Sequence, residues 1–485
     1  MMIPRTSFSP PVSLEQLHGI EEAAIRILET AGLEITNAWL VTRLASIGFR
    51  ADAAGRFRIP RAETRRFMDE ARRRHGNHFS VEPAPMPVET TAPRISLDPS
   101  WYALYLLDPA TEKISPFTAA SLAQALHLVE SLKGEKVQGS WVGQPDDVPG
   151  PLRPVMQYWL AGQCLSEPRL DNLLQSPLSL PFELEMAEAL GKPIRTGVAL
   201  GFSPLRLAGE SVDCVVAARD RFTEIYVGSM PSVGATASIH LGDAFALTVA
   251  ETVGGALLLE AALEKPAGFG VYLFPADLRT LMQTFGSPEA YLLQLMSAEI
   301  SAFFRGEAWQ PLTGDLHISA CVPGMQAATE KAAIFTPGAL FGMRHFTGAG
   351  ILGTDEIFSP EQLIYDLETR DHVQRLVAGW EATCDPVRAL EDVVAAREFG
   401  SFAALDSTAE WHRESYWTPK LFYRGSYGRW RTSGQRSEQE RVRDRLQELI
   451  QRPMYEAPGD RRQALDGILA RAQTALGTSY QVPKL

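Results

Sequence analysis

The chain has 485 residues, 45% of them hydrophobic, and its 46 Lys+Arg against 58 Asp+Glu give a net charge of −12 with histidine neutral. That apolar fraction excludes a disordered chain, and the acidic balance argues against a general nucleic-acid binder, whose phosphate contacts need clustered Lys and Arg. Four scattered cysteines, Cys164, Cys214, Cys321 and Cys384, are too few for a disulfide framework and point to a reduced, cytoplasmic setting.

The first ten residues carry no apolar h-region, so no secretory signal is expected. Residues 14–31 read as an amphipathic helix on Leu17, Ile20, Ala24, Ile27 and Leu28, capped by Ser13 and stopped by Gly32. A short helix follows over 37–47, then a hairpin over 49–60 turning at Gly55, then a basic helix from Arg61 to His75. A Pro- and Thr-rich connector over 80–95 closes a helical N-terminal extension, residues 1–95.

From Ile95 onward, short β-type runs alternate with helical stretches. The spacing predicts strands over 137–142, 169–174, 194–200, 224–229, 268–274, 310–316 and 339–346. It predicts helices over 118–132, 181–190, 211–219, 244–263, 287–304, 327–335 and 360–380. Ser287-Pro288-Glu289 and Ser359-Pro360-Glu361 carry the same start signal, a Ser cap, Pro at the first helical position and Glu facing the positive helix end. The most membrane-like window, Leu247 to Leu263, holds Glu251 and Glu260 and reads as a buried helix rather than a span. Seven alternations are legible and an eighth strand is not. The fold expectation is α/β, a TIM (β/α)8 barrel over residues 96–405, with an open doubly wound sheet as the alternative. Residues 406–485 form an aromatic and helical tail, with helices on Val442/Leu446/Leu449 and Leu465/Ile468/Leu469.

Gly348-Ala349-Gly350-Ile351-Leu352-Gly353 matches GxGxxG in form, but five residues separate it from the next helix cap, so an active-site loop is a better reading than a phosphate cradle. His317 and Cys321, with Cys384, are the thin basis for a zinc-assisted alternative. In a barrel, chemistry belongs at the C-terminal strand ends. The candidates there are Trp141, Gln175, Met230, Phe274, Asp315, His317, Arg344, His345, Phe346 and Thr347, with Glu251 in reach. Aromatics and Met are plentiful in this set, carboxylates are few and lysine is missing, a composition suited to a quaternary ammonium held by cation–π contacts.

The order of segments resembles the trimethylamine methyltransferase (MttB-like) family of corrinoid methyltransferases, glycine betaine methyltransferases included. The residues that carry the resemblance are Leu17-His18-Gly19-Ile20 to Leu33, Gly55-Arg56-Phe57-Arg58-Ile59-Pro60, and Asp108 through Pro116-Phe117-Thr118. Met230-Pro231, Gly242-Asp243 and Ala250-Glu251 continue it, followed by Val322-Pro323-Gly324-Met325-Gln326-Ala327-Ala328-Thr329-Glu330-Lys331. Ser359-Pro360-Glu361, Asp366-Leu367-Glu368 and Trp417-Thr418-Pro419-Lys420-Leu421 complete it. The resemblance implies a TIM-barrel methyltransferase that moves a methyl group from an amine to the Co(I) of a corrinoid carried by a partner protein, with no tightly bound metal of its own. It further implies a betaine-type quaternary amine as donor, since the chain contains only standard residues and a quaternary amine leaves as a neutral amine without a general acid. A homo-oligomer with no nucleic-acid or membrane partner is expected. Gly324 stands where the family usually has Asp, which leaves a non-catalytic betaine-binding barrel as an alternative.

Overall fold

The computed structural model describes residues 12–80, 94–99, 102–139, 141–170, 174–309, 314–379 and 382–482. The N-terminal helices α1 (Leu14–Thr30), α2 (Ala38–Ser46) and α3 (Arg61–Arg74) form as the sequence predicts. Ser13 and Gln16 cap α1 reciprocally, an arrangement whose loss costs about 1 kcal/mol. The expected hairpin forms as an antiparallel bridge from Ala51 to Phe57 with its turn at Gly55, and Arg56–Phe57 also pairs antiparallel with Leu33–Ile35, which pairs parallel with Arg206–Leu207.

The core is mixed α/β. Its helices are α4 (Ala119–Ser131), α5 (Arg153–Cys164), α6 (Leu180–Ala189), α7 (Glu210–Ala217), α8 (Leu241–Leu263), α9 (Pro288–Arg305), α10 (Met325–Leu340) and α11 (Pro360–Val377). α5 has no counterpart in the sequence reading, because it is buried from Pro154 to Cys164 and carries no amphipathic period. α8 is long and apolar enough to cross a membrane, but 83% of that window is buried inside the protein. Gly254 and Gly255 bring α8 close to its neighbours, since a Cβ there would stand 2.6 Å from a Leu28 methyl and 2.9 Å from a Val227 methyl.

Among the described residues the strands form five small sheets, two of them parallel throughout. In one, Ser96–Asp98 pairs with His345–Thr347, which pairs with Gly314–Asp315. Isolated parallel bridges from Leu97 to Val137 and from Ala103 to Gly143 extend it by one more segment. In the other, Thr196–Gly201 pairs with Glu224–Ser229, which pairs with Ala267–Phe269. Among the described residues neither sheet closes into a barrel. The expected strand over 137–142 is reduced to those bridges. The expected strands over 169–174 and 310–316 lie partly outside the described residues, and Gly314–Asp315 is the described part of the second. The strand expected over 339–346 begins only at His345, because α10 runs through Pro337 to Leu340.

The C-terminal helices are α12 (Pro386–Phe399), α13 (Asp406–Ser415), α14 (Tyr427–Thr432), α15 (Glu438–Ile450) and α16 (Gly459–Ala475). α15 packs Val442, Leu446 and Leu449 against α4 and α11, and α16 packs Leu465, Ile468 and Leu469 against α5 and α6. The aromatic segment latches in part: Trp417 contacts His372 edge to face, and the amides of Lys420, Leu421 and Phe422 donate to Glu368.

Candidate functional site

Register assigns each strand residue to a face, because paired residues in a parallel sheet point the same way. Leu97 aligns with Phe346, and both are fully buried. Their neighbours Ser96, Asp98, His345, Thr347 and Asp315 therefore point to the opposite face. In the second sheet Ala199, Ile225, Val227, Ala267 and Phe269 are buried, while Val198, Tyr226 and Gly268 share the other face. That face is half open in both sheets: Ser96, Asp315, His345, Thr347, Val198, Tyr226 and Tyr272 are only half-buried. Gly270 makes room for the Tyr226 phenol, since a Cβ there would lie 2.0 Å from its oxygen. The Tyr226 and Tyr272 hydroxyls are hydrogen-bonded at 3.0 Å.

The polar groups on this face are fixed. Thr347 Oγ1 donates to Asp315 Oδ1 at 2.8 Å. Arg169 Nη1 lies 2.9 Å from Asp98 Oδ2 and also meets His345 Nε2, whose Nδ1 is 2.9 Å from Ser96 Oγ. His317 Nδ1 pairs with Asp355 Oδ1, and Gly348 lies against the same imidazole. Phe285 bridges the sheets, its ring 5.9 Å from His317 and 5.4 Å from Phe274.

The two histidines are driven in opposite directions. Burial pushes His317 down, but the charge and hydrogen bond of Asp355, with Asp315 behind them, carry it above the ordinary histidine value. Burial and the Arg169 charge hold His345 below that value against the pull of Asp98. Asp355 thus favours the charged form of His317, and burial beside Arg169 favours the neutral form of His345.

Other sequence candidates lie elsewhere. Trp141 is 2% exposed and packs between Tyr102 and Tyr158 in the core. Phe346 points into the helical layer, against Phe335. Arg344 precedes its strand and donates to the carbonyls of Ala339 and Met343 at the end of α10, which serves the helix C-terminus. Glu251 is buried in α8 and accepts from Ser203 Oγ and the Leu205 amide, so it positions the loop after Thr196–Gly201. Burial raises its pKa above the usual carboxylate value. Gln175 lies 3.4 Å from Gln157, which reaches the Gly143 carbonyl. Met230, at the end of its strand, is half exposed. Sequence reading missed Asp98, Arg169, Tyr226 and Tyr272.

Glu330 and Lys331 are structural. Glu330 Oε2 accepts from the amides of Ser319 and Ala320. Lys331 Nζ donates to the Gly348 carbonyl at 3.0 Å and to Asp366 Oδ2 at 2.7 Å. Asp366 Oδ2 also accepts from the Gly350 amide at 2.7 Å, so the glycine loop is clamped rather than shaped for phosphate. Gly324 is the N-cap of α10, with open space where a side chain would stand and no side-chain cap. The zinc grouping does not assemble: Cys321 and Cys384 are exposed, His317 is held by Asp355, and no group of three metal-capable side chains forms among the described residues.

The family model for trimethylamine methyltransferase (MTTB) matches residues 3–477. Trimethylamine methyltransferase MttB of Methanosarcina thermophila is 26% identical over 250 residues, 51% of this chain and 50% of that protein. MttB of Methanosarcina barkeri strain Fusaro is 25% identical over 266 residues, 54% of this chain and 52% of that protein. The chain thus aligns with about half the length of these curated relatives. The crystal structure of the Methanosarcina barkeri monomethylamine methyltransferase (MtmB) superposes with a TM-score of 0.40 at 11% identity, covering 98% of this chain and 97% of that one. The chain belongs to the trimethylamine methyltransferase (MTTB) family.

Proposed function

We propose that this member of the trimethylamine methyltransferase family moves a methyl group from a betaine-type quaternary amine to the Co(I) of a corrinoid carried by a separate protein. The reading rests on the half-open faces of the two parallel sheets, one carrying the fixed Asp315 and the His317–Asp355 pair and the other the Tyr226–Tyr272 pair, with Phe285 in ring contact with both His317 and Phe274. On this reading the sheets are parts of one eight-stranded barrel spanning residues 96–405. The parallel pairing of Ser96–Asp98 with His345–Thr347, first strand to last, supports closure.

Asp315, oriented by Thr347, faces the ammonium. Tyr226 and Tyr272 offer π-faces to the same charge. His317, held by Asp355, and Arg169 receive the carboxylate tail. These residues replace Arg344, which is occupied at the helix end. Fixing both ends of the zwitterion aims one methyl–nitrogen bond at the acceptor. As that bond breaks, nitrogen keeps its electron pair and leaves as a neutral amine, so no side chain has to supply a proton. The cobalt chemistry belongs to the partner's corrinoid, and the face described here contributes binding and aim.

The test is equilibrium binding of glycine betaine to the wild type and to Asp315→Asn. Saturable binding is expected, weakened at least tenfold by the substitution. Equal affinity in both proteins removes Asp315 from the site, and absence of binding by any betaine removes the substrate assignment.

A further inference from the structure

α5 separates two surfaces. Gln157 faces the strands, its Nε2 donating to the Gly143 carbonyl at 3.0 Å. Trp159 follows two residues later, about 200° around the helix, so it leaves on the far side toward α16. A cleft of about 920 Å³ opens there, between α5, α16, the turn that precedes α16 and the C-terminal residues Tyr480 and Val482. Its walls are fixed. Trp159 Nε1 donates to Asp466 Oδ1 at 2.7 Å, and Gln163 Nε2, one turn further along α5, lies 3.4 Å from the same oxygen. Tyr480 donates its hydroxyl to Asp147 Oδ2 at 2.8 Å, and Gln473 Nε2 holds the Tyr480 carbonyl at 2.9 Å. The Tyr455 hydroxyl accepts from Arg461 Nη1 at 3.3 Å. Three aromatic side chains, Trp159, Tyr455 and Tyr480, therefore line the cleft in held positions.

The charges around the cleft do not cancel. Asp466 and Glu456 both line it, and among the described residues neither has an ion pair. Arg462 is the single basic residue in the lining. It stands four residues before Asp466 but donates through Nη2 to the Ala457 carbonyl, at 3.0 Å. Two carboxylates thus face one guanidinium that is held elsewhere. Burial pushes the Cys164 thiol up to about 12, so this sulfur stays neutral and adds an apolar wall.

We propose that this cleft is a second ligand site, separate from the half-open strand faces, for an organic ammonium cation with apolar substituents, tertiary or quaternary. Aromatic rings attract such a cation, and a fixed carboxylate beside them adds to the attraction. A primary ammonium would need acceptors for three N–H groups, and the carboxylate beside Trp159 already accepts from the indole. A divalent metal of the Ca²⁺ or Mg²⁺ kind would need six or more oxygen ligands, and no group of three metal-capable side chains forms among the described residues. The room beyond the head group admits an apolar or aromatic body. Trp159 and Gln157 leave α5 on opposite sides, so the inference does not depend on the function proposed above.

Isothermal titration calorimetry of the full chain with benzyltrimethylammonium tests it. The parent for the titrations is Asp315→Asn, which removes the carboxylate of the strand face, so that binding there is not mistaken for binding in the cleft. One saturable site is expected in this parent, weakened at least fivefold when Asp466→Asn is added. Asparagine can still accept from the Trp159 N–H, so the circular dichroism spectrum is expected to stay unchanged. Should that variant misfold, Tyr455→Leu in the same parent is expected to weaken binding at least threefold. Binding that is present in the wild type and lost in Asp315→Asn assigns the cation to the strand face and overturns the proposal, as does absence of saturable binding in both. A folded Asp466→Asn or Tyr455→Leu variant with the affinity of its parent overturns it equally.

Discussion

Replacing Asp366 by Asn tests whether the Glu330-Lys331 pair of the most specific motif is a clamp. Lys331 and Asp366 are each 1% exposed in their side chains. The carboxylate takes three hydrogen bonds, from Lys331 Nζ at 2.7 Å, the Gly350 amide at 2.7 Å and Gln362 Nε2 at 2.8 Å. Burial lowers the Lys331 pKa from the ordinary lysine value, and the Asp366 charge offsets part of that shift. Asp366→Asn strands a buried ammonium, and Lys331→Met strands a buried carboxylate. Either change is expected to cost about 3–5 kcal/mol. The double change to Met and Leu removes both charges but leaves the Gly348 carbonyl and the Gly350 amide without these partners, at about 1–3 kcal/mol each. It is therefore expected to cost less than the sum of the single changes by several kcal/mol. Urea unfolding followed by circular dichroism measures all three. A single substitution costing under about 1 kcal/mol, or an additive double variant, would refute the clamp.

Burial pushes the Glu183 carboxyl up to about 7, with Ser179 Oγ at 2.7 Å the hydrogen-bond partner. Its contribution is present below the ordinary value of 4.5 and lost as pH rises through 7, so Glu183→Gln should match the wild type in acid and exceed it by on the order of 3 kcal/mol above neutrality; a constant difference across pH contradicts this. The raised His317 pKa gives the Asp355 pair a contribution present below the ordinary histidine value of 6.5 and lost above the raised one. The thermal penalty of Asp355→Asn should shrink as pH rises from 6 to 9, and a penalty that grows would reverse the assigned direction. Truncation at Ser407 removes α15 and α16 and bares the apolar surfaces of α4, α5 and α11 that they cover; the product is expected to be insoluble, and a soluble, compact one would show that the tail is dispensable.

The sequence made some elements plain because their signals are local. Ser287-Pro288 and Ser359-Pro360 mark starts that the structure keeps, each serine accepting an amide hydrogen bond three residues on. The Glu224–Ser229 strand is equally plain, with Ile225 and Val227 on one face and Tyr226 on the other. That alternation was the signal that could have identified Tyr226. α5 was invisible because a helix buried on every side has no polar stripe to set its period. The misplacement of Phe346 follows from register: the strand starts at His345, its period is two, and each residue's face is decided by pairing with Ser96–Asp98. Asp98 sits on a three-residue strand too short to read, and its partner Arg169 comes from a distant segment. Nonlocal pairing also explains the two faces of the family motif, whose Glu330 and Lys331 hold loops from both sides while Gly324 leaves α10 uncapped.

Methyl transfer is measured most directly by incubating the purified protein with glycine betaine and free cob(I)alamin and following the absorbance change at cobalt. Enzyme-dependent methylcobalamin formation is expected, with dimethylglycine released in equal amount and a rate reduced at least a hundredfold in Asp315→Asn. Wild-type protein that forms no methylcobalamin from any betaine, dimethylsulfonio compound or methylamine would contradict it.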